Sequence, residues 1–228
     1  MLKIEKTEVF GWEAAIRGMR NPMNSWDKSD SNYECGRKTV DDCMNCGCGE
    51  LGLCCPGEFV IGENDHALMM KLAKGGSVHA KYRRMINVTC DITAPLYWWK
   101  EFDTYKVGTV ANSCSTMHKI HSKEFTLDDF SLDHCDMLVK DLFFQHIIPT
   151  LNLFRKLFLE SKNKKHWYSM IQLLPTSYNQ KRTVQLNYEV LVGLYKWRKD
   201  HKLDEWHEFC DWVKSLPHSE LIIPEGEE

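Results

Sequence analysis

Two side chains that could do chemistry lie near the C-terminus, where Asn187 and Arg198 are eleven residues apart. Asn187 is a good helix cap, and the apolar spacing after it predicts a helix from Tyr188 to about Arg198. Eleven steps of an α-helix return to within ~20° of the starting direction, about 16 Å along the axis. Both side chains can therefore line one groove. An arginine there supplies a fixed cation that donates paired hydrogen bonds.

Cysteines form a second chemical cluster. Six of the ten cysteines fall between Asn21 and Gly62, in a stretch that lacks apolar periodicity and is rich in glycine and asparagine. The pair Cys43-x-x-Cys46 is a good zinc half-site, and nearby thiols could complete four ligands. We therefore predict a structural metal site built from Cys43, Cys46, Cys48 and Cys54. Unligated thiols are the alternative, because Cys54 and Cys55 are adjacent and form no second Cys-x-x-Cys.

Composition limits the classes of protein to which the chain can belong. It has 228 residues, of which 43% are hydrophobic and 27% charged, with a formal net charge of −3. These values are typical of one globular domain and make nucleic acid or an anionic membrane an improbable partner. The longest apolar stretch, Leu142 to Leu159, is too polar to span a bilayer, and Met1 to Phe10 has no apolar signal core. We expect a cytoplasmic protein with reduced thiols.

Hydrophobic periodicity predicts an α+β fold in which helices outnumber strands. Strands are expected at Leu2–Val9, Met85–Ile92 and Arg182–Leu186. Helices are expected at Gly11–Arg20, His66–Lys74 (capped by Asp65), Pro95–Tyr105, Leu138–Glu160 with a break before Pro149, His166–Leu174, Tyr188–Arg198 and Glu205–Leu216. Val107–Lys119 is expected to be a polar loop, and residues 21–62 an irregular insert within a single domain of residues 1–228.

The region from His79 to His118 resembles the flavin-dependent thymidylate synthases. In that family a loop histidine precedes a strand ending in Ala-Pro, and a helix then leads to the signature Arg-His-Arg-x-x-Ser-x-Asn-Glu-x-Ser-x-Arg-Tyr. Here His79 and Ala94-Pro95 match in spacing. In the signature itself the matching positions are Thr104, Tyr105, Lys106, Thr109, Asn112 and Ser115. Lys100 and Glu101 fall on the family's Arg-Gln pair, while the closing Arg-Tyr is replaced by Met117 and His118.

A second block of the same family matches the C-terminal third. Leu174-Pro175 corresponds to a turn that precedes the family's Asn-x-Arg helix, and Asn187 and Arg198 keep the spacing to its second arginine. Glu189 stands where the first helix arginine belongs. The two blocks together cover about half of the chain in the family's order.

The resemblance implies a mixed or antiparallel sheet with a helical bundle, and a homotetramer. It implies methylation of dUMP to dTMP with FAD, NADPH and methylenetetrahydrofolate, in dTMP biosynthesis. Arg198 would be catalytic and would contact the substrate together with Glu101, Asn112 and Ser115. The cofactor would be bound by His79, Lys106, Thr109 and Asn187. The aromatic helix Pro95–Tyr105 also suggests an interface between subunits, although the Trp98-Trp99 pair is expected to lie in the core.

Two alternatives belong to other functional classes. The substituted arginines are compatible with a flavin- or nucleotide-binding homologue that lacks catalysis. The cysteine segment is compatible with a zinc-bearing interaction module, to which the cluster Lys162, Lys164, Lys165 and His166 adds a modest basic patch.

Overall fold

The computed structural model describes residues 2–34 and 57–223. A four-stranded antiparallel sheet has the strand order β1-β4-β6-β5, and β2 and β3 form a separate antiparallel pair. The strands are β1 (Lys3–Phe10), β2 (Asn32–Glu34), β3 (Glu58–Val60), β4 (Asn87–Pro95), β5 (Val110–Ser113) and β6 (Asn179–Asn187). The α+β prediction is confirmed, and the sheet is antiparallel rather than mixed.

Eight α-helices are described in these two ranges. They are α1 (Trp12–Arg20), α2 (Glu63–Lys74), α3 (Leu96–Phe102), α4 (Met137–Leu142), α5 (Ile148–Ser161), α6 (Lys164–Leu173), α7 (Tyr188–Arg198) and α8 (Asp204–Lys214). A π-helical turn, Phe143–Ile147, joins α4 to α5 immediately before Pro149. It is the break that the proline predicted, because the ring removes one N–H from the helical ladder. Among the described helices, none combines the length and the apolar character needed to cross a membrane.

The main hydrophobic core lies between the sheet and helices α1, α2, α3, α7 and α8. Strand β4 shows how the sequence builds it: Val88, Cys90 and Ile92 point inward while the residues between them are half-buried. A second, smaller core joins α5 and α6 to the segment around Phe125 and Phe130.

The aromatic helix α3 belongs to the main core. Trp98, Trp99 and Phe102 are at most 2% exposed and pack against Trp206 and Phe209 of α8. The suggestion that this helix forms a subunit interface is therefore wrong, because its large rings are already covered by the same chain. The helix also ends at Phe102 rather than Tyr105.

Helix α2 begins earlier than predicted and is capped by a different residue. Both Asp30 carboxylate oxygens accept hydrogen bonds from helix N–H groups, from Asn64 at 2.9 Å and from Asp65 at 3.1 Å. Gly62 is the residue immediately before α2. A Cβ at this position would lie 2.2 Å from the Asp30 Cγ. Asp65 is thus not the cap, because a side chain 35 residues earlier performs that function.

Asp65 instead fastens the two ends of the cysteine-rich segment to the core. Its fully buried carboxylate accepts a 2.6 Å hydrogen bond from Arg20 and further bonds from the hydroxyls of Ser29 and Ser31. Ser31 in turn accepts from the Gly62 N–H at 2.9 Å. Burial raises the pKa of Asp65, but the hydrogen bonds and the Arg20 charge outweigh burial and hold it below its usual range. We call Arg20, Ser29, Ser31 and Asp65 the clamp.

Candidate functional site

The N-terminus of α7 is built around Asn187. Its Oδ1 accepts from the Val190 N–H at 3.1 Å, so the predicted helix cap is confirmed. Its amide nitrogen faces Gly108, where an added Cβ would lie 3.2 Å from Nδ2 and 3.0 Å from the Val190 side chain. Gly108 also has φ +78°, which glycine adopts without strain. The loop can therefore approach the helix closely only because residue 108 is glycine.

A groove of about 390 Å³ opens between this loop and α7. Its size is that of a small-molecule site. Tyr105, Gly108, Asn187 and Gly193 line it, together with Arg84, Val107, Glu189 and Val190. Next to it, the Thr109 hydroxyl is buried and has no hydrogen-bond partner among the described residues. A buried, unsatisfied hydroxyl beside an open groove is a group that a ligand can satisfy.

Arg198 lies at the other end of α7, where three side chains from two other parts of the chain hold it. Its Nε donates to the Tyr105 hydroxyl at 2.9 Å, and its Nη1 contacts Glu101 Oε2 at 2.7 Å. The guanidinium carbon lies 4.6 Å from the Trp206 ring centre and 5.3 Å from that of Tyr105. Trp206 and His201 also contact Glu101 Oε2, at 3.1 and 3.2 Å.

This arrangement, which we call the Arg198 cluster, consists of Glu101, Tyr105, Arg198, His201 and Trp206. Arg198 is more than a cation that complements the helix dipole, because rings and a carboxylate fix its orientation. Tyr105 lines the groove as well as contacting Arg198, so the cluster adjoins the groove. Asn187 lines the groove, whereas Arg198 reaches it only through Tyr105, so the expectation that both residues line one groove stays a prediction.

The charged residues at the groove differ from those that the resemblance implies. Glu189 occupies the position of the family's first helix arginine, and its carboxylate lies 3.8 Å from Arg83 Nη1. Arg83 and Arg84 belong to a 3-10 turn, Lys81–Arg84, that faces α7. Arg83 is 8% exposed, and its Nε has no hydrogen-bond partner among the described residues. The turn therefore places two arginines near Glu189: Arg83 is paired with it, and Arg84 lines the same groove.

Four other predicted site residues, His79, Lys106, Asn112 and Ser115, do not line the groove. His79 is exposed in the turn after α2, where its backbone N–H donates to the Gly76 carbonyl. Lys106 is exposed at the rim, next to Val107. Asn112 is exposed on β5, the edge strand that the sequence assigns to a loop, where it pairs with Thr183 of β6.

Ser115 is used locally. Its hydroxyl accepts from the N–H groups of Met117 and His118, at 3.2 and 2.9 Å, and contacts His118 Nδ1 at 3.0 Å. This is the turn geometry expected of a loop serine. The predicted metal ligands Cys43, Cys46, Cys48 and Cys54 lie outside the described residues.

Sequence reasoning missed part of the Arg198 cluster. Tyr105 was expected only as a departure from the family signature, and His201 carried no expectation. The one available signal was the Glu205-Trp206 pair, which places an aromatic at the start of α8. Glu101 and Arg198 are 97 residues apart, so no local pattern predicts their ion pair.

Comparison with known proteins supports the fold. No family model and no curated protein matches the sequence. Among solved structures, thymidylate synthase X from Helicobacter pylori, crystallised with FAD and dUMP, matches at a TM-score of 0.66 and 14% identity, over 97% of this chain and 96% of that one. A second crystal structure from the same organism, a flavin-dependent thymidylate synthase with FAD and dUMP, matches at 0.68 and 14%, over 96% and 97%. The chain therefore has the fold seen in flavin-dependent thymidylate synthases.

Proposed function

We propose that this protein methylates dUMP to dTMP, using FAD, NADPH and methylenetetrahydrofolate. The observation that carries the proposal is the Arg198 cluster: a fixed cation, held between two rings, that adjoins a groove of small-molecule size. The solved structures with the same fold contain FAD and dUMP.

The groove fits a flavin in chemical character. Asn187 and Thr109 offer neutral hydrogen-bonding groups, and Arg84 and Lys106 offer positive charge for a pyrophosphate. His79 is proposed as a further contact at the cofactor's edge. Bound FAD, reduced by NADPH, would take part in passing a one-carbon unit from the folate to C5 of dUMP. In this proposal the protein orients the partners and excludes water.

Arg198 is the proposed catalytic residue. A guanidinium keeps its charge at all physiological pH values, and its two donors can address a carbonyl that gains negative charge during the reaction. Tyr105 and Trp206 restrict its motion, which lowers the entropic cost of holding it ready. Glu101, Asn112 and Ser115 are proposed contacts to the nucleotide, with Lys106 assisting at the phosphate.

A flavin- or nucleotide-binding homologue without turnover is the second candidate. One observation favours it: Glu101 already neutralises Arg198 within the chain, at 2.7 Å. An arginine that is paired in this way offers less charge to a substrate. Glu189 also favours this candidate, because it is a carboxylate at a position where the family has an arginine.

We propose a homotetramer on different grounds from those of the sequence. Large apolar side chains are exposed along α4, the π-turn and α5, among them Met137 (66%), Leu138 (78%), Phe144 (66%) and Leu153 (54%). An apolar face of this kind is typical of a subunit interface. Light scattering of the purified protein should give four times the mass of the chain; a strict monomer would count against this part of the proposal.

Two measurements test the function. An absorbance spectrum of the purified protein should show bound flavin. Tritium release from C5-labelled dUMP, with FAD, NADPH and methylenetetrahydrofolate, should then report turnover. Flavin and dUMP binding without tritium release would favour the non-catalytic candidate. Protein that binds neither ligand, even when FAD is added, would contradict both.

A further inference from the structure

Three metal-binding side chains meet at a place that the proposed reaction does not use. His66 projects from the first turn of α2, and His218 and Glu220 come from the segment after α8. One oxygen of Glu220, Oε1, lies 2.8 Å from His66 Nε2 and 3.2 Å from His218 Nδ1. All three candidate ligand atoms lie within 4.8 Å of one another. We propose that His66, His218 and Glu220 bind a divalent transition-metal ion of the zinc class.

The ligand set and its spacing support this proposal. Two imidazoles and one carboxylate form a known three-residue set for zinc, in which a fourth position is left for water. Metal bonds of 2.0–2.2 Å in tetrahedral geometry separate neighbouring ligand atoms by about 3.3 Å. Two of the three separations here lie within ~0.5 Å of that value. The side chains are each between one-third and two-fifths exposed, so an ion can reach them.

The backbone and its surroundings hold His218 in place. His218 has φ +52°, a left-handed conformation that few residues other than glycine adopt. The Trp12 ring packs edge-on against its imidazole, with centres 5.3 Å apart. The conformation turns the ring toward His66, whose ring centre lies 5.6 Å away. Unusual backbone geometry that brings potential ligands together is common at functional sites.

Binding of the metal would fasten one wall of a second cavity. This cavity, of about 320 Å³, is lined by α2, α7 and the C-terminal segment, including Arg83, Glu189, Glu220 and Ile222. Glu189 also lines the groove beside Asn187. A metal that bridges α2 and Glu220 would therefore stabilise the structure directly behind the candidate site, whether or not the protein is a thymidylate synthase.

The test is a Co²⁺ titration of the full chain after removal of metals with a chelator. Every sample carries the double substitution Cys43→Ser/Cys46→Ser, and this double variant is the background protein. It removes two thiolate ligands of the cysteine-rich segment that would otherwise bind Co²⁺. Any remaining binding by thiolates is recognised by its charge-transfer absorption. Compared with this background protein, Glu220→Gln and His66→Gln should bind Co²⁺ at least ~100-fold more weakly. Loss of a residue that only hydrogen-bonds to a metal ligand weakens binding by about 10–100-fold, and loss of the ligand itself should weaken it more. Zn²⁺ should raise the melting temperature of the background protein but not of these variants.

His207→Ala provides the matched control. His207 is an exposed histidine on α8, 3.7 Å from Asp204. It does not belong to the proposed metal site, so His207→Ala should bind Co²⁺ as tightly as the background protein does. Glu220→Gln keeps the size of the side chain and can still accept a hydrogen bond, so it should fold. If the background protein takes up no Co²⁺, or if both variants bind it as tightly as His207→Ala does, the proposal is wrong and the three residues form a hydrogen-bonded contact only.

Discussion

Two arginine–carboxylate pairs in this molecule have nearly the same length and opposite surroundings. Arg20 and Asp65 are 2.6 Å apart, and their side chains are 4% and 0% exposed. Arg198 and Glu101 are 2.7 Å apart, but are 16% and 34% exposed. In the clamp both carboxylate oxygens of Asp65 accept hydrogen bonds from the protein itself. In the Arg198 cluster the pair adjoins an open groove.

The difference separates a structural pair from an available one. Removing one partner of a buried ion pair leaves an uncompensated charge, which costs much more than the pair contributes. A partly exposed pair exchanges partners at a smaller cost, because water or a ligand can replace either group. Arg198 can therefore exchange Glu101 for a substrate group while the rings keep its position, whereas Arg20 cannot leave Asp65.

The largest expected effect is on the clamp. Asp65→Ala should lower the free energy of unfolding by about 3–5 kcal/mol, since the Arg20 charge and two hydroxyls lose their acceptor. Urea denaturation measures this loss. Glu13→Ala removes an exposed partner of Arg17, which lies 2.8 Å away, and should cost no more than about 0.5 kcal/mol. Equal losses of stability in the two variants would show that the buried pair contributes no more than the exposed pair.

The next largest effect is on catalysis. Arg198→Ala should reduce tritium release about 10²–10³-fold, the loss typical of removing one fixed donor from developing charge. Arg198→Lys should recover only part of this rate, because lysine keeps the charge and loses the fork. The loss of ring and ion-pair contacts should cost stability as well, about 1–2 kcal/mol.

Arg182→Ala gives the stability cost alone. Arg182 is likewise paired, with Asp103 at 2.6 Å, and stacked, 4.1 Å from the Trp99 ring centre. If Arg198→Ala releases tritium as well as the wild type does, the catalytic assignment fails although the fold is right.

A smaller effect is expected at the start of α2. Gly62→Ala should lower stability by about 1–3 kcal/mol, because the new Cβ would meet Asp30 at 2.2 Å and a backbone atom at 2.6 Å. Gly193→Ala is the opposite case: this glycine lies inside α7 with open space around it, and alanine there should raise stability by about 1 kcal/mol. Urea denaturation of both variants should give changes of opposite sign.

The pH dependence of the clamp has a definite direction. The pKa of Asp65 is lowered by folding, so its contribution is fully present above the unfolded value of about 3.9 and is lost as the pH falls through the lower folded value. Relative to Asp65→Asn, the wild type should lose stability below pH ~4 at up to about 1.4 kcal/mol per pH unit. A difference between the two proteins that does not change between pH 6 and pH 3 would contradict this assignment.

Local sequence signals predicted much of the fold, because the interactions that form those parts are local. The Asn187 cap, the π-turn before Pro149 and the alternation of β4 each depend on residues within a few positions of one another. Strand β5 was missed because all four of its residues are exposed and it exists only through pairing with β6, about 70 positions away. The Asp65 cap was wrong for the same reason, since Asp30 reaches α2 from elsewhere.

The candidate site was predictable only in part. Spacing and resemblance identified Asn187 and Arg198, because helix geometry fixes how two residues on one helix are related. Nothing in the sequence relates Glu101 to Arg198, or Arg83 to Glu189, since these contacts depend on how separate elements pack. The polar residues 112 and 115 were assigned by the resemblance, and the structure leaves their contact with a ligand as a proposal.

The smallest expected effect decides what Glu101 does. The resemblance expects glutamine at this position, and the carboxylate neutralises Arg198. Glu101→Gln should therefore tighten binding of dUMP by up to about 5-fold, the equivalent of a partly exposed ion pair worth at most about 1 kcal/mol. The amide oxygen can still accept from Trp206, which now contacts Glu101 at 3.1 Å, so the cluster should keep its shape.

Asp103→Asn makes the same charge change beside Arg182 and should leave the affinity for dUMP unchanged. Calorimetry of dUMP binding measures the effect. Weaker binding in Glu101→Gln would mean that the proposed contact of Glu101 with the nucleotide requires the carboxylate, and that the pair with Arg198 holds it ready for that contact.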